Sequence, residues 1–190
     1  MTTSTKHSNK NPVDRIKYPN CYDGYQYALD IISGKIRASI YTIGACKRFI
    51  REINSDNPKW RFNYDRAERY LRIAQQFKHV KGKWKNPKIV FEPWQKWVWM
   101  NIEGFVMRET GFRRFRFAHI DVGRGNGMSC LASIAVLFNL CLDEPQGNKV
   151  STVATTKDQA RIVFDDARAM AEGNAAFLRK TKCIVQKHKI

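Results

Sequence analysis

Apolar residues recur at helical spacing through the first 80 residues of the chain. Three stretches, 22–34, 39–53 and 64–80, each place hydrophobic side chains on one face, and Gly34 stands where the first helix would end. The third stretch has the clearest apolar face, which comprises Ala67, Tyr70, Leu71, Ala74 and Phe77. These patterns predict a helical subdomain over residues 21–88.

A different pattern begins near residue 89. Pro93 is a favourable first-turn residue, and the apolar positions after it predict a helix. Residues 111–122 and 148–156 are typical of strands, and 129–142 and 156–173 of helices. Strand, helix, strand, helix in this order predicts an α/β fold with a parallel sheet. The predicted stripe of the first helix is Trp94, Trp97, Val98, Ile102, Phe105 and Val106.

The predicted strand over 111–122 interleaves arginines with phenylalanines. Alternation is the signature of a half-buried strand, so we expect Phe112, Phe115 and Phe117 in the core and His119 facing inward. Basic and aromatic residues together can also hold phosphates and stack on bases. Both interpretations fit these residues, and core packing is the simpler one.

The 190-residue chain is strongly basic, with 34 Lys and Arg against 17 Asp and Glu and a formal net charge of +17. Residues 1–92 carry +11 of this excess, and residues 93–190 carry +6. Lysine and arginine release condensed counterions when they neutralise phosphates, so the excess favours a nucleic-acid partner over a solubilising surface. Residues 1–20 form a polar, basic tail that we expect to be disordered.

The five cysteines show no Cys-x-x-Cys spacing and no nearby paired histidines. This argues against a zinc site and a disulfide framework, and it fits a reducing, intracellular setting. The N-terminal stretch MTTSTKHSNKNP lacks the apolar segment of a secretory signal. The longest apolar run, from Cys130 to Leu142, is too short to span a bilayer, so we expect no membrane partner.

A glycine-rich turn lies between the predicted strand and the buried helix. The window Val122–Ser129, VGRGNGMS, is similar to the phosphate-binding pattern G-x-x-x-x-G-K-[ST], but it has Val122 for the first glycine and Met128 for the lysine. Its context would still aim backbone N–H groups at an anion. Arg124 could then contribute positive charge and Ser129 could hold Mg²⁺. An ordinary strand–turn–helix corner is the alternative.

Other polar residues give weaker signals of chemistry. Gln95, in EPWQ, could read adenine through its amide, although a solvent-facing glutamine at a helix start is the simpler interpretation. His119 and Asp121 could form a dyad, but a hydrogen-bonded strand histidine is simpler. Asp165 and Asp166 are adjacent on a predicted helix, so they point in different directions and predict no acid/base pair.

Taken in order, four stretches resemble the large terminase subunit of tailed double-stranded DNA bacteriophages. They are YALDIISGKI…ACKRFIREI, PWQKWV, GFRRFRFAHIDVGRGNGMS and VATTKDQARIVFDDARAMAE. Their order and spacing across residues 22–190 carry the resemblance, since no single motif is specific. In that family the chain is an ATP-driven motor that moves viral DNA into a preformed capsid, and a nuclease domain cuts the DNA into genome units. The resemblance implies a P-loop NTPase-type parallel-sheet core, incomplete in this chain, over residues 89–190.

The resemblance also implies roles for individual residues. Gln95 takes the adenine-reading position, and Ser129 becomes the Mg²⁺ ligand. Arg124 matches a loop arginine that contacts the phosphates and is proposed to trigger hydrolysis, so it is the candidate catalytic residue. The segment TTKDQA matches a turn near the DNA or a neighbouring subunit. The implied nucleotide-binding set is Gln95, Val122, Gly123, Arg124, Gly125, Asn126, Gly127, Met128 and Ser129.

The implied cofactors are ATP and Mg²⁺, and the implied partners are double-stranded DNA, the portal protein and the small terminase subunit. Motors of this family act as homo-oligomeric rings at the procapsid portal in the host cytoplasm and are not virion components. Two departures stand out. Met128 replaces the usual lysine, and the family's acidic Walker B strand, coupling motif and nuclease domain would lie beyond Ile190. We therefore expect the front portion of an ATPase.

Two alternatives to a packaging ATPase are compatible with these residues. A non-catalytic DNA- or capsid-binding protein would use the positive charge and keep the loop as a vestige. A helicase-like P-loop ATPase outside packaging would share the loop. Because a thioether cannot neutralise the charge that develops on a transferred phosphoryl group, Met128 leaves hydrolysis by this chain an open question.

Overall fold

The computed structural model describes residues 11–81, 87–143 and 148–185. Its described part forms two compact units. The first unit contains the described parts of Met1–Arg72 and Phe91–Ala118, and the second contains those of Ile73–Val90 and His119–Ile190. The elements are α1 (Pro19–Ile32), α2 (Ile40–Ile53), β1 (Trp60–Phe62), α3 (Tyr64–Ala74), α4 (Pro93–Gly104), β2 (Phe105–Met107), α5 (Met128–Cys141), α6 (Lys157–Glu172) and α7 (Ala175–Thr181).

The helices predicted from hydrophobic periodicity are confirmed. α1, α2 and α3 lie within or beside the first three stretches, α4 begins at Pro93, and α5 and α6 occupy the last two predicted helical segments. All five apolar positions predicted for 64–80 are buried. α7 and β1 were not predicted. None of the described helices has the length and apolar character needed to cross a membrane.

The first unit is built on aromatic packing around a short antiparallel pair. β1 and β2 pair with Arg61 opposite Val106. The ring of Phe105 meets that of Phe62 edge-on at 5.1 Å and that of Phe49 at 6.2 Å. α1 packs against α2 and α4. Gly24 permits the close approach of α1 to α4, because a Cβ there would lie 3.0 Å from the backbone nitrogen of Trp97.

The buried face of α4 differs from the predicted stripe. Trp99 and Met100 are buried together with Lys96 and Glu103, whereas Trp94, Trp97 and Val98 are only half-buried. Phe105 and Val106 are buried, but they belong to β2. Charged residues can occupy this face because each has a partner, and Lys96 Nζ lies 2.6 Å from Asp23 Oδ2.

The prediction that the three phenylalanines of 111–122 lie in the core is wrong at two positions. Phe112 and Phe117 are exposed, and Phe115 is half-buried, 5.8 Å from the Phe105 ring. Two of the three arginines of this stretch are instead directed inward, whereas Arg116 is exposed. Arg113 Nη1 lies 3.1 Å from Glu103 Oε1, and Arg114 Nη1 donates to Glu52 Oε2 at 2.8 Å. The buried carboxylate of Glu103 and the half-buried carboxylate of Glu52 therefore decide which side of the segment faces the protein.

No parallel sheet occurs among the described residues. Both predicted strands, 111–122 and 148–156, lack a strand assignment, and only β1 and β2 form a ladder. His119 is exposed and does not face inward. A strand is stabilised by the neighbour to which it hydrogen-bonds. Residues 111–122 make one isolated antiparallel bridge, from Arg113 to Val106 of β2, and no bridge to residues 148–156 occurs in the described part of the chain. The architecture is thus largely helical with a small antiparallel sheet, which is compatible with an α/β chain.

The two units divide the chain differently from the predicted boundary between residues 88 and 89. α4 packs on α1, and β2 pairs with β1, so residues 91–118 join the first unit. Of the predicted tail, residues 1–10 lie outside the described residues. Residues 11–20 are ordered, because Asn11 Nδ2 donates to the Tyr22 carbonyl at 3.0 Å and Val13 is buried.

The second unit is formed by α5, α6 and α7 with the segment 77–81. α5 packs along α6, and α6 packs on α7. Ser133, fully buried on α5, donates to the carbonyl of Val163 on α6 at 2.9 Å. Phe77 packs edge-on against Phe177 at 5.2 Å, and its carbonyl accepts from Ile89 N at 2.9 Å. These contacts fix where residues 77–81 lie within the unit.

Glu103 is the buried charge on which we expect the first unit to depend most. It is fully buried, and its two oxygens lie 3.1 Å from Arg66 and from Arg113. We expect Glu103→Gln to lower the free energy of unfolding by about 2–4 kcal/mol, because it leaves two partly buried guanidinium groups without a carboxylate. Urea unfolding followed by circular dichroism measures this change.

The control for this prediction is Glu109→Gln, which removes the same charge from an exposed position in the same unit. We expect it to change the unfolding midpoint little, since isolated surface charges contribute little to stability. Equal midpoints for the two variants would contradict a stabilising role of Glu103.

Candidate nucleotide-binding site

A cleft of about 480 Å³ in the second unit contains the whole predicted loop. Its volume falls in the range of small-molecule sites, roughly 300–1,000 Å³. The walls are formed by His79, Val80, Lys81, residues 122–130, Asp166 and Met170. The structure therefore brings residues 122–129 together on one concave surface.

Two glycines determine the path of the backbone in this loop. Gly125 and Gly127 have φ values of +91° and +75°, a left-handed conformation that glycine adopts without the steric cost of a Cβ. Asn126 Nδ2 donates to the Gly123 carbonyl at 2.7 Å and closes the turn. Gly127 is the N-cap of α5, so the turn leads directly into the helix. The N-terminus of α5 thereby lines the cleft.

In the described chain, the start of α5 is capped differently from the other helices. The first N–H groups of a helix have no partner within it. Side-chain oxygens accept from such groups at α2, α3, α6 and α7, and the Glu68 carboxylate accepts from Asn20 N and Cys21 N of α1. The N-cap of α5, Gly127, has no side chain and makes no side-chain cap hydrogen bond. A helix end of this kind favours an anion.

Charge in the cleft comes from few side chains. Arg124 and Ser129 are exposed, whereas Met128 is half-buried and uncharged. Asp166 is 6% exposed, and its Oδ1 lies 2.5 Å from Lys81 Nζ. Lys81 and Arg124 are therefore the cations that could meet an anion bound here.

Cys130, in the first turn of α5, adds no negative charge at neutral pH. Burial raises the pKa of its thiol to about 11, and the negative charge of Asp166 contributes in the same direction. The thiolate is therefore a minor species near pH 7, even though a helix N-terminus on its own would favour it.

Gln95 occupies a different environment from the loop. It lies in the first turn of α4 in the first unit, and its Oε1 accepts from Glu92 N at 3.0 Å in a capping box. The loop lies in the second unit. The capping contact gives Gln95 a local structural role, and its adenine-reading role stays a prediction.

The remaining sequence candidates lie at ordinary structural positions. Thr156 Oγ1 accepts from Gln159 N at 3.3 Å, so TTKDQA begins α6, and its expected proximity to DNA or another subunit stays a prediction. Asp165 and Asp166 point in different directions, as predicted, with side-chain exposures of 38% and 9%. The described residues contain no cluster of three or more His, Cys, Asp or Glu suited to a metal ion.

Sequence reasoning missed Lys81 and Asp166 as cleft residues. Lys81 lies far from the loop in sequence, within a basic segment whose lysines look alike. Asp166 follows another aspartate on α6, and nothing in the local pattern distinguishes the one that faces the cleft. Only the packing of α5 on α6 and the anchoring of Phe77 bring them to the loop.

Comparison with known proteins identifies the family to which these features belong. The family model for the terminase large subunit, ATPase domain, matches residues 93–190, a range that includes α4, the glycine loop, α5 and α6. Neither the curated proteins nor the solved structures include a match to this chain. Because the matched residues make up more than half of the sequence, the chain belongs to the terminase large subunit ATPase-domain family.

Proposed function

We propose that this chain is the ATPase portion of a phage terminase large subunit and that it binds ATP with Mg²⁺ at residues 122–129. Membership of the family supports the activity class. The observation that carries the site is the start of α5, where a left-handed glycine turn presents a helix end with a glycine N-cap to a cleft of suitable volume. Triphosphate is the anion that this family's chemistry requires.

Each part of the loop has a distinct task in this proposal. The backbone N–H groups that begin α5 bind phosphate oxygens, and the exposed Arg124 adds a planar, permanently charged donor. The Ser129 hydroxyl would hold Mg²⁺, a cation that prefers oxygen ligands. When bound, Mg²⁺ neutralises phosphate charge and orients the phosphoryl group. Gln95 would contact the adenine.

Met128 limits what such a site can do. A lysine at this position would oppose the charge that develops on the transferred phosphoryl group, and a thioether does not. The loss weakens ground-state binding, where helix N–H groups and Arg124 remain, and falls more heavily on the transition state. We therefore propose nucleotide binding with slow turnover by this chain.

In the packaging role the chain would act on double-stranded DNA together with the portal protein and the small terminase subunit, as a ring of copies at the procapsid in the host cytoplasm. The net charge of +17 supports a polyanionic partner. The P-loop-type parallel core over residues 89–190 belongs to the same proposal.

Calorimetry with ATP and Mg²⁺ tests the nucleotide site. We expect the unsubstituted chain to bind, and Met128→Lys to bind about 10- to 100-fold more tightly because an ammonium group adds charge-assisted hydrogen bonds. Arg124→Ala should bind more weakly. Arg179→Ala is the matched control, since it removes an exposed arginine of the same unit outside the cleft.

Two outcomes would oppose this proposal. Equal affinities of Arg124→Ala and Arg179→Ala would exclude Arg124 from the site. Absence of binding both in the unsubstituted chain and in Met128→Lys would exclude a nucleotide site at this loop altogether.

A non-catalytic DNA-binding protein is the second candidate, and the pairing of +17 charge with an uncharged Met128 favours it. Fluorescence anisotropy of a labelled DNA duplex, measured at increasing salt concentration with and without ATP, distinguishes this candidate from the packaging ATPase. Both candidates predict that log K falls with log salt concentration, by about 0.9 per phosphate neutralised. A packaging ATPase should show affinity that changes when ATP is added, whereas a passive binder should not. A slope near zero would contradict both.

A further inference from the structure

The cleft lacks the cation that its own loop would normally contribute. The loop position equivalent to the lysine is Met128, and the cations among the described lining residues are Arg124 and Lys81. A triphosphate carries several negative charges, and one arginine with a helix end neutralises only part of them. Lys81, the second cation of the cleft, could therefore neutralise part of the remaining phosphate charge.

Lys81 is held at the cleft by the core of the second unit. Phe77 is buried against Phe177, and the backbone after it is fixed by hydrogen bonds from Ile89 N to Phe77 O at 2.9 Å and from His79 N to Pro87 O at 3.0 Å. Lys81 follows directly and lines the cleft. Its position is thus determined by packing, in the way that a site residue requires.

Asp166 keeps the Lys81 ammonium beside the loop. Lys81 Nζ lies 2.5 Å from Asp166 Oδ1, yet this oxygen accepts no hydrogen bond of ordinary geometry from the described residues. The carboxylate side chain is 9% exposed and the lysine side chain 63% exposed. The buried acid needs a nearby positive charge, whereas the lysine head is solvated and flexible. The ammonium can therefore turn toward another anion while staying near Asp166.

We propose that Lys81 provides to the phosphates of a bound nucleotide the positive charge that Met128 does not, and that Asp166 holds the ammonium ready when no nucleotide is bound. This inference rests on the proposed nucleotide site. It makes Lys81 a phosphate-binding residue and Asp166 a positioning residue. The cation then comes from a segment that precedes α4 and not from the loop itself.

The test is calorimetry of the full chain with ATP·Mg²⁺ and with inorganic tripolyphosphate, and adenosine is the probe without phosphate. We expect Lys81→Ala to weaken binding of both phosphate probes by about 10- to 100-fold. Lys78→Ala is the matched control, because Lys78 is an exposed lysine of the same segment that does not line the cleft. It should bind as the unsubstituted chain does.

Lys81→Ala leaves Asp166 buried without its cation and could disturb the fold. The double variant Lys81→Ala/Asp166→Asn removes both charges, so no buried charge is left uncompensated, and its folding is checked by circular dichroism. We expect it to lose affinity as Lys81→Ala does. Asp166→Asn alone should bind the phosphate probes more tightly, since it frees the ammonium and removes a repelling carboxylate. If the gain came from lost repulsion alone, the double variant would bind more tightly than Lys81→Ala by the same factor.

Adding Met128→Lys to the Lys81→Ala variant should restore most of the lost affinity, because it returns the cation to the loop. The role of Lys81 is overturned if Lys81→Ala and the double variant both bind ATP as tightly as the unsubstituted chain does. In that case the nucleotide site itself stands. If the unsubstituted chain binds neither ATP nor tripolyphosphate, the nucleotide site fails, and the role of Lys81 fails with it.

Discussion

The left-handed backbone at Gly125 and Gly127 is the constraint on which the candidate site depends. A side chain at either position would strain the turn that leads into α5. Gly127, as the N-cap of α5, also provides no capping side chain, whereas the Thr156 hydroxyl at the start of the neighbouring α6 accepts from Gln159 N. One choice of residue therefore shapes the loop and also leaves its N–H groups available to a ligand.

Charge pairing limits how much of the +17 can serve a partner. Glu103 binds Arg66 and Arg113, Glu52 binds Arg114, and each of these acids is buried or nearly so. The charges of these arginines are balanced by carboxylates within the first unit. The excess positive charge that remains lies on exposed lysines and arginines, where it steers a polyanion without specifying a sequence. Net charge thus indicates a class of partner, and the paired arginines show why it does not locate the contact.

Periodicity predicted the helices because a buried helical face depends mainly on the order of residues along one segment. All five apolar positions of 64–80 are buried for this reason. The prediction for α4 was wrong where tertiary partners intervene, since Asp23 permits Lys96 to be buried and the arginines permit Glu103. The strand predictions for 111–122 and 148–156 were wrong for a similar reason. A strand needs a neighbour, and alternation within one segment says nothing about whether that neighbour exists.

The candidate site likewise contains features that follow from contiguous residues and features that depend on tertiary contacts. The glycine turn and the helix after it could be predicted, because both follow from contiguous residues. Lys81 and Asp166 could not, because each reaches the cleft through contacts of a different element, Phe77 with Phe177 and α5 with α6. This separation has a functional consequence. In the proposed site, a loop without the lysine would keep the contacts that backbone N–H groups make with an anion, since a side-chain substitution does not remove these groups. Replacement of the family's lysine by Met128 would therefore reduce the stabilisation of charge in the transition state far more than it changes the shape of the site.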